Sequence, residues 1–289
     1  MTGPDGTLPL LNDAWEGPSV WEAASPEVSV LRSSGYIVLR TVDIGDQAIL
    51  DVGPMAPPHL PPHAHADLLS FVLWAGGRPV IVDPGSFTYT GPERRAFRGT
   101  AAHNTVEVDG CDQCELWGDF RAAFMPNVTQ LDVQAHGDIT VVTARHDGYR
   151  RLDDPVTHQR AFVWLPRDGL VIIDRLVAGR PHQARSRLHL APGLSGSLLR
   201  VGPFDVQTLG AGTAIHTVVG QYSPFLGVKE PIDVLQYTLC ARPHELFGWA
   251  LLRAGARAAV HDDHLRVECS RSKSFLLDLS SLYERRADT

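Results

Sequence analysis

The chain has 289 residues, 44% of them apolar and 20% charged, enough material for a substantial core, which excludes disorder as its ground state. Its net charge of -7, from 33 acidic against 26 basic residues, leaves no basic face of the kind a nucleic-acid binder needs. No apolar run approaches the roughly 20 residues of a membrane-spanning helix.

Residues 1–30 are rich in proline and glycine and lack periodicity. Pro4, Pro9, Pro18 and Pro26 are interspersed with Trp15 and Trp21, which predicts an extended lead-in whose tryptophans dock on another surface. Met1 to Gly6 carries neither a basic region nor an apolar one, so no secretion leader is expected in this chain. Export would require a longer native chain; otherwise the location would be cytoplasmic.

From Tyr36 onward the period is two. Tyr36 to Val42, Asn104 to Asp109, Ile139 to Arg145 and Leu170 to Asp174 are β-branched runs bounded by Gly, Pro or Asp, and their spacing predicts an all-β antiparallel sandwich of two packed sheets. A short helical turn is expected only at Gly91 to Arg98. Near Pro231 the pattern restarts, so residues 231–289 either close the sandwich or form a smaller terminal sheet. Asp262-Asp263, between Ala258–His261 and His264–Glu268, reads as a two-residue hairpin turn. The domain reading is therefore a lead-in over 1–30 and a sandwich over 31–289.

Chemistry concentrates in Pro61-Pro-His63-Ala-His65-Ala-Asp67, Val80-Ile-Val-Asp83-Pro-Gly-Ser86 and Thr100-Ala-Ala-His103-Asn104. In a regular strand His63 and His65 would share a face, although Pro61-Pro62 disfavours strand geometry just before them. Imidazoles and a carboxylate converging from neighbouring strands would suit zinc. Separately hydrogen-bonded histidines and a metal-free catalytic histidine fit the same spacing. A cupin would place Glu about four residues after its His-x-His, where Leu69 and Ser70 stand. Cys111 and Cys114 form a Cys-x-x-Cys that reads as turn-associated thiols, a redox or disulfide pair, or a zinc-thiolate site with His103. His189 reads as a satisfied core histidine, and Asn104 as a turn cap or backbone brace.

His63-Ala-His-Ala-Asp-Leu-Leu-Ser-Phe71, Val82-Asp-Pro-Gly-Ser86 with Tyr89, Phe97-Arg-Gly-Thr100, Ala102-His-Asn-Thr-Val106 and Val108-Asp-Gly110 with Gln113 stand in the order found in the heparinase II/III-like domain. Later segments, such as Arg160 to Leu165 and Leu188 to Gly193, resemble that domain too. The resemblance implies a polysaccharide lyase of the heparinoid and alginate type, in which an (α/α) toroid precedes the β-sandwich and acidic, uronate-containing polymer is cleaved between them by β-elimination. It further implies His65, Asp83 and His103 as ligands of a zinc ion that pins loops to the sheet. His63 would be the base or substrate-orienting group, and Tyr89 would line the cleft. Arg94, Arg95 and Arg98 are expected to grip uronate carboxylates, because the guanidinium fork donates two parallel hydrogen bonds.

The catalytic residues that the family's toroid supplies have no counterpart in this chain. Three readings follow: the C-terminal part of a longer lyase, the partner of a separate helical subunit, or a metal-stabilised β-sandwich that binds carbohydrate without cleaving it. A cupin-like metalloenzyme is a further alternative, requiring a redox-active metal with an open coordination sphere.

Overall fold

The computed structural model describes residues 27–31, 33–56, 61–195, 200–210, 214–270 and 274–284. Trp15, Trp21 and the lead-in up to residue 26 lie outside the described residues. A five-stranded antiparallel meander comprises Val28–Leu31, Tyr36–Thr41, Asp46–Asp51, Phe71–Ala75 and Arg78–Ile81, paired in chain order. A second sheet has seven strands in the spatial order Arg200–Val201, Phe204–Leu209, Leu246–Arg253, Gly169–Val177, Val156–Leu165, Ile139–Tyr149 and Val128–His136. The third has four, ordered His216–Phe225, Val228–Ala241, His182–His189 and Val106–Val108.

The five- and four-stranded sheets continue into one layer. Val82 N donates to His189 O at 2.9 Å, Ala191 N donates to Val80 O at 3.0 Å, and Ile81 bridges Leu190. Facing that layer is the seven-stranded sheet. Leu39, Leu50, Phe71 and Leu73 from the meander share one buried cluster with Val106, Leu188 and Tyr237 from the four-stranded sheet. Phe162, Trp164, Ile172 and Trp249 enter the same cluster from the seven-stranded sheet. Each large apolar side chain removed from water there contributes roughly 1.5–3 kcal/mol, and the expected sandwich is the result.

The seven-stranded sheet is covered on its other face as well. Val163, Val171, Ile173 and Ala250 pack beneath Leu265, Val267 and Leu277 of a three-stranded sheet, Arg257–His261, His264–Glu268 and Ser274–Asp278. Tyr283, on the short helix Leu279–Glu284, joins them. Double coverage explains why Gly169 to Leu176 is buried at every position, where a one-sided strand would alternate. The restart near Pro231 thus has two outcomes: Val228–Ala241 and Leu246–Arg253 enter the main sheets, and the small terminal sheet begins only at Arg257. Asp262 turns its hairpin with φ of 50°, and His261 pairs with His264.

Inside the seven-stranded sheet lies a fully buried polar chain. His146 Nε2 and His158 Nδ1 are 3.0 Å apart, and His158 Nε2 meets Asp174 Oδ1 at 2.7 Å. Arg160 donates to the same carboxylate through Nε at 2.7 Å and Nη2 at 3.1 Å. Burial opposes the Asp174 charge, but Arg160 and His158 together outweigh it and hold the carboxyl below its ordinary value. Elsewhere His182 joins two loops: Nδ1 lies 2.6 Å from Asp109 and Nε2 lies 2.9 Å from Asp154. Burial disfavours its charge, yet the two carboxylates prevail and raise its pKa.

Replacing Asp174 by Ala strands the Arg160 guanidinium in the core, and the urea midpoint should fall by the equivalent of about 3–5 kcal/mol. His182 predicts a pH effect. Because its folded pKa lies above the unfolded value, its stabilisation is fully present below about pH 6.5 and is lost as pH rises through the folded value. The Tm difference between wild type and His182→Gln should therefore narrow on going from pH 6 toward alkaline pH, and a widening difference would contradict the assignment.

Candidate functional site

The Pro-Pro pair decides the local geometry of the histidine motif. Pro61–His63 forms a 3-10 turn, because two fixed φ angles and two missing N–H donors do not suit a ladder. His63 and His65 consequently do not alternate along a strand. His63 is exposed, whereas His65 is half-buried. The His63 ring meets Tyr89 edge-on at 5.9 Å between centroids, so this pair shares an open face with Tyr89 at 43% exposure.

Behind it lies a second group. Donor atoms of His65, Asp67 and His103 come within 4.8 Å of one another. The His65 and His103 rings are 5.3 Å apart. Asp83 closes the group from the side: its Oδ2 lies 2.8 Å from His103 Nδ1, and its Oδ1 accepts from Gly85 N at 2.9 Å. His103 is wholly buried, and its Nε2 has no hydrogen-bond partner among the described residues. A buried imidazole oriented through one nitrogen by a carboxylate, with the other nitrogen unsatisfied, is the arrangement of a metal-ligating histidine. The donor set therefore fits a divalent cation of the zinc type.

Electrostatics divide these groups. Burial, reinforced by His103, lowers His65 to about 3, which leaves it neutral and able to ligate. Burial also opposes the charge on His103, but Asp83, seconded by Asp67 and Asp51, pushes it up to about 9, so a cation taken up on its Nε2 would displace its proton. Asp67 is raised, chiefly by burial, and Asp51 well above its ordinary value by burial and by Asp67. The spacing singles out Asp83 and passes over Asp67. The signal that could have found Asp67 is its own place in His-x-His-x-Asp, two residues beyond His65.

The three arginines do not act together. Arg94 and Arg98 are 1% and 0% exposed, and they turn inward. Arg94 Nη2 donates to Pro62 O at 2.8 Å and its Nη1 lies 3.5 Å from His65 Nε2, while its guanidinium sits 5.3 Å from the Tyr89 ring centroid. Arg98 Nε donates to Ala64 O at 2.8 Å and Nη1 to Asp119 O at 2.8 Å. The exposed grip expected of all three is thus corrected for these two, which brace the histidine turn by its backbone carbonyls. The amphipathic helix Gly91–Arg98 buries them along with Phe97. Only Arg95 faces outward.

Asn104 satisfies its whole side chain: Nδ2 donates to Phe71 O at 2.8 Å and to Val82 O at 2.9 Å, and Oδ1 accepts from His189 N at 2.8 Å. His189 Nδ1 lies 3.0 Å from the same oxygen, as befits a core histidine. Cys111 and Cys114 are free thiols. Burial pushes Cys114 up to about 12, and its Sγ donates to Phe124 O at 2.8 Å. His103 faces Asp83 and the His65–Asp67 pair, and neither thiol belongs to that group.

A family model described as "Heparinase II/III-like, C-terminal" matches residues 23–227. A heparin-sulfate lyase of Bacteroides stercoris is 28% identical over 170 residues, covering 55% of this chain and 22% of that protein. The crystal structure of heparan sulfate lyase HepC from Pedobacter heparinus superposes with a TM-score of 0.67 at 17% identity, over 87% of this chain and 42% of that one. A heparinase III structure gives 0.64 at 16% identity, over 84% and 41%. This chain therefore spans well under half the length of the relatives it matches.

The cation reading makes a direct prediction. Purified protein should carry about one zinc per chain, lost in His65→Ala and His103→Ala and retained in Cys114→Ala, as measured by elemental analysis. Asp67→Asn and Asp83→Asn, measured beside them, report which carboxylate contributes. Zinc that depends on Cys114 would defeat the assignment.

Proposed function

Because this chain belongs to the heparinase II/III-like family through its C-terminal domain, we propose that it is the β-sandwich half of a polysaccharide lyase acting on acidic, uronate-containing polymer by β-elimination. The observation that carries the reading is the exposed His63–Tyr89 pair beside the buried His65, Asp67, Asp83 and His103 group. One part of the site is open to a polymer; the other fixes the turn that presents it.

In this reaction the proton on C5 of the uronate passes to a base. The C4–O bond then breaks, the leaving oxygen takes a proton, and a C4–C5 double bond remains in conjugation with the carboxylate. A proton beside a carboxylate is scarcely acidic until the developing negative charge is stabilised. On this reading His63 takes or orients the C5 proton and Tyr89 lines the cleft next to the leaving oxygen. Arg94 and Arg98 act through the backbone, fixing Pro62 and Ala64 so that His63 keeps its position.

His65 and His103, with a carboxylate donor from Asp67 or Asp83, would hold the zinc ion. Bound there, it supplies a cross-link between the histidine turn and the segments carrying Asp83 and His103. The family's helical toroid is the proposed partner, since it would supply the remaining acid and the group that neutralises the carboxylate. Catalytic groups that act as a unit are strongly non-additive, so full rate requires both halves.

The test is the ultraviolet absorbance of the unsaturated uronate, followed with heparan sulfate, heparin and alginate. With a helical toroid of the family supplied in cis or in trans, the wild-type protein should generate it from at least one polymer, and His63→Ala should lower the rate by roughly 10²–10⁴-fold without loss of fold by circular dichroism. Polymer binding with no unsaturated product even when the toroid is supplied would instead favour a carbohydrate-binding β-sandwich.

A further inference from the structure

The hairpin Glu115–Trp117 with Arg121–Phe124 is anchored beside the site. Asp119, in its turn, accepts from Gly91 N at 3.0 Å through Oδ1 and from Arg98 Nη1 at 2.8 Å through its backbone oxygen. Between the hairpin and the helix Gly91–Arg98 opens a cavity of about 510 Å³, whose lining includes Arg95, Glu115, Trp117 and Arg151. That volume falls within the roughly 300–1,000 Å³ typical of small-molecule sites.

Three features of the cavity point to one ligand chemistry. Trp117 is 54% exposed, an unusual place for a large indole unless its face is used. Its Nε1 lies 3.4 Å from Glu115 Oε1, a long contact on an exposed edge. Arg95 is exposed and has no side-chain hydrogen bond or ion pair among the described residues. Arg151, by contrast, is spent on the carbonyls of Asp112, Gln113 and Gly148 and forms wall.

We propose that this cavity is a saccharide subsite for a carboxylated or sulfated sugar unit of the same polymer, an inference that rests on the polysaccharide-lyase reading. The apolar C–H face of a pyranose carries partial positive charge and stacks on the negative face of the indole. The Arg95 fork matches a carboxylate or sulfate bidentately. Glu115 accepts from ring hydroxyls. A neutral sugar would leave Arg95 unused, so the subsite selects acidic chains.

The experiment is calorimetric titration of the full chain with heparan sulfate oligosaccharides, alongside tryptophan fluorescence. Trp117→Ala and Arg95→Ala should each weaken binding about tenfold, the effect of losing one stacking or bidentate contact. Trp117→Phe should keep most of the affinity, and the binding-induced fluorescence change should vanish in Trp117→Ala. Unchanged affinity in both alanine variants, or no binding by wild type, overturns the subsite. Elimination that both variants perform with unchanged kcat/KM overturns it while leaving the lyase reading intact. Binding that both variants lose, with no unsaturated product from wild type even when a helical toroid of the family is supplied, upholds the subsite and overturns the lyase reading.

Discussion

The buried Arg160–Asp174 pair is the constraint on which the site depends. Its carboxylate is fully enclosed between Arg160 and His158, and burying these charges is tolerable only because each donor and acceptor is met. The same guanidinium has a second use. Its Nη1 donates to Leu69 O and to Asn104 O, both at 2.7 Å, reaching from the seven-stranded sheet into the loops that carry the site. Leu69 sits at φ of 60°, a conformation rare for a branched apolar residue. A charged anchor on its carbonyl helps to hold it there.

From that anchor the order spreads outward. Asn104, gripped through its carbonyl, uses its own side chain to join the meander at Phe71, and Val82 just beyond it, to His189 of the four-stranded sheet. Its neighbour His103 is thereby fixed, and Asp83 sets the ring. On the other side Arg94 and Arg98 fix the Pro62–Ala64 backbone, so His63 emerges from a turn whose carbonyls are held by charged donors. Such charge-assisted bonds are stronger than neutral ones, and a loop held this way keeps its geometry without secondary structure. The metal-type group and the open His63–Tyr89 face are two outputs of one brace.

Much of this was legible in the chain. Period-two runs, Gly and Pro punctuation and the Asp262-Asp263 turn depend on local chemistry, and the sheets follow them closely. The order of the motifs from His63 to Gln113 carries the family resemblance. Arg94 and Arg98 were harder to read, because an arginine is equally compatible with gripping a ligand or a neighbouring carbonyl. Helical spacing at positions 94 and 98 places them on one face, but which face is buried depends on what packs there. Asp67 is hard to single out for a similar reason: its value comes from proximity to His103, which lies 36 positions further on.

The sequence by itself determined an antiparallel β-sandwich, a short helix at Gly91–Arg98 and the residues able to do chemistry, since these rest on side-chain periodicity and donor type. Only the tertiary structure decided the third layer over the seven-stranded sheet, the inward turn of two arginines and the convergence of His65, Asp67, Asp83 and His103. Those depend on contacts between segments far apart in the chain, whose burial and electrostatics exist only once the layers have closed.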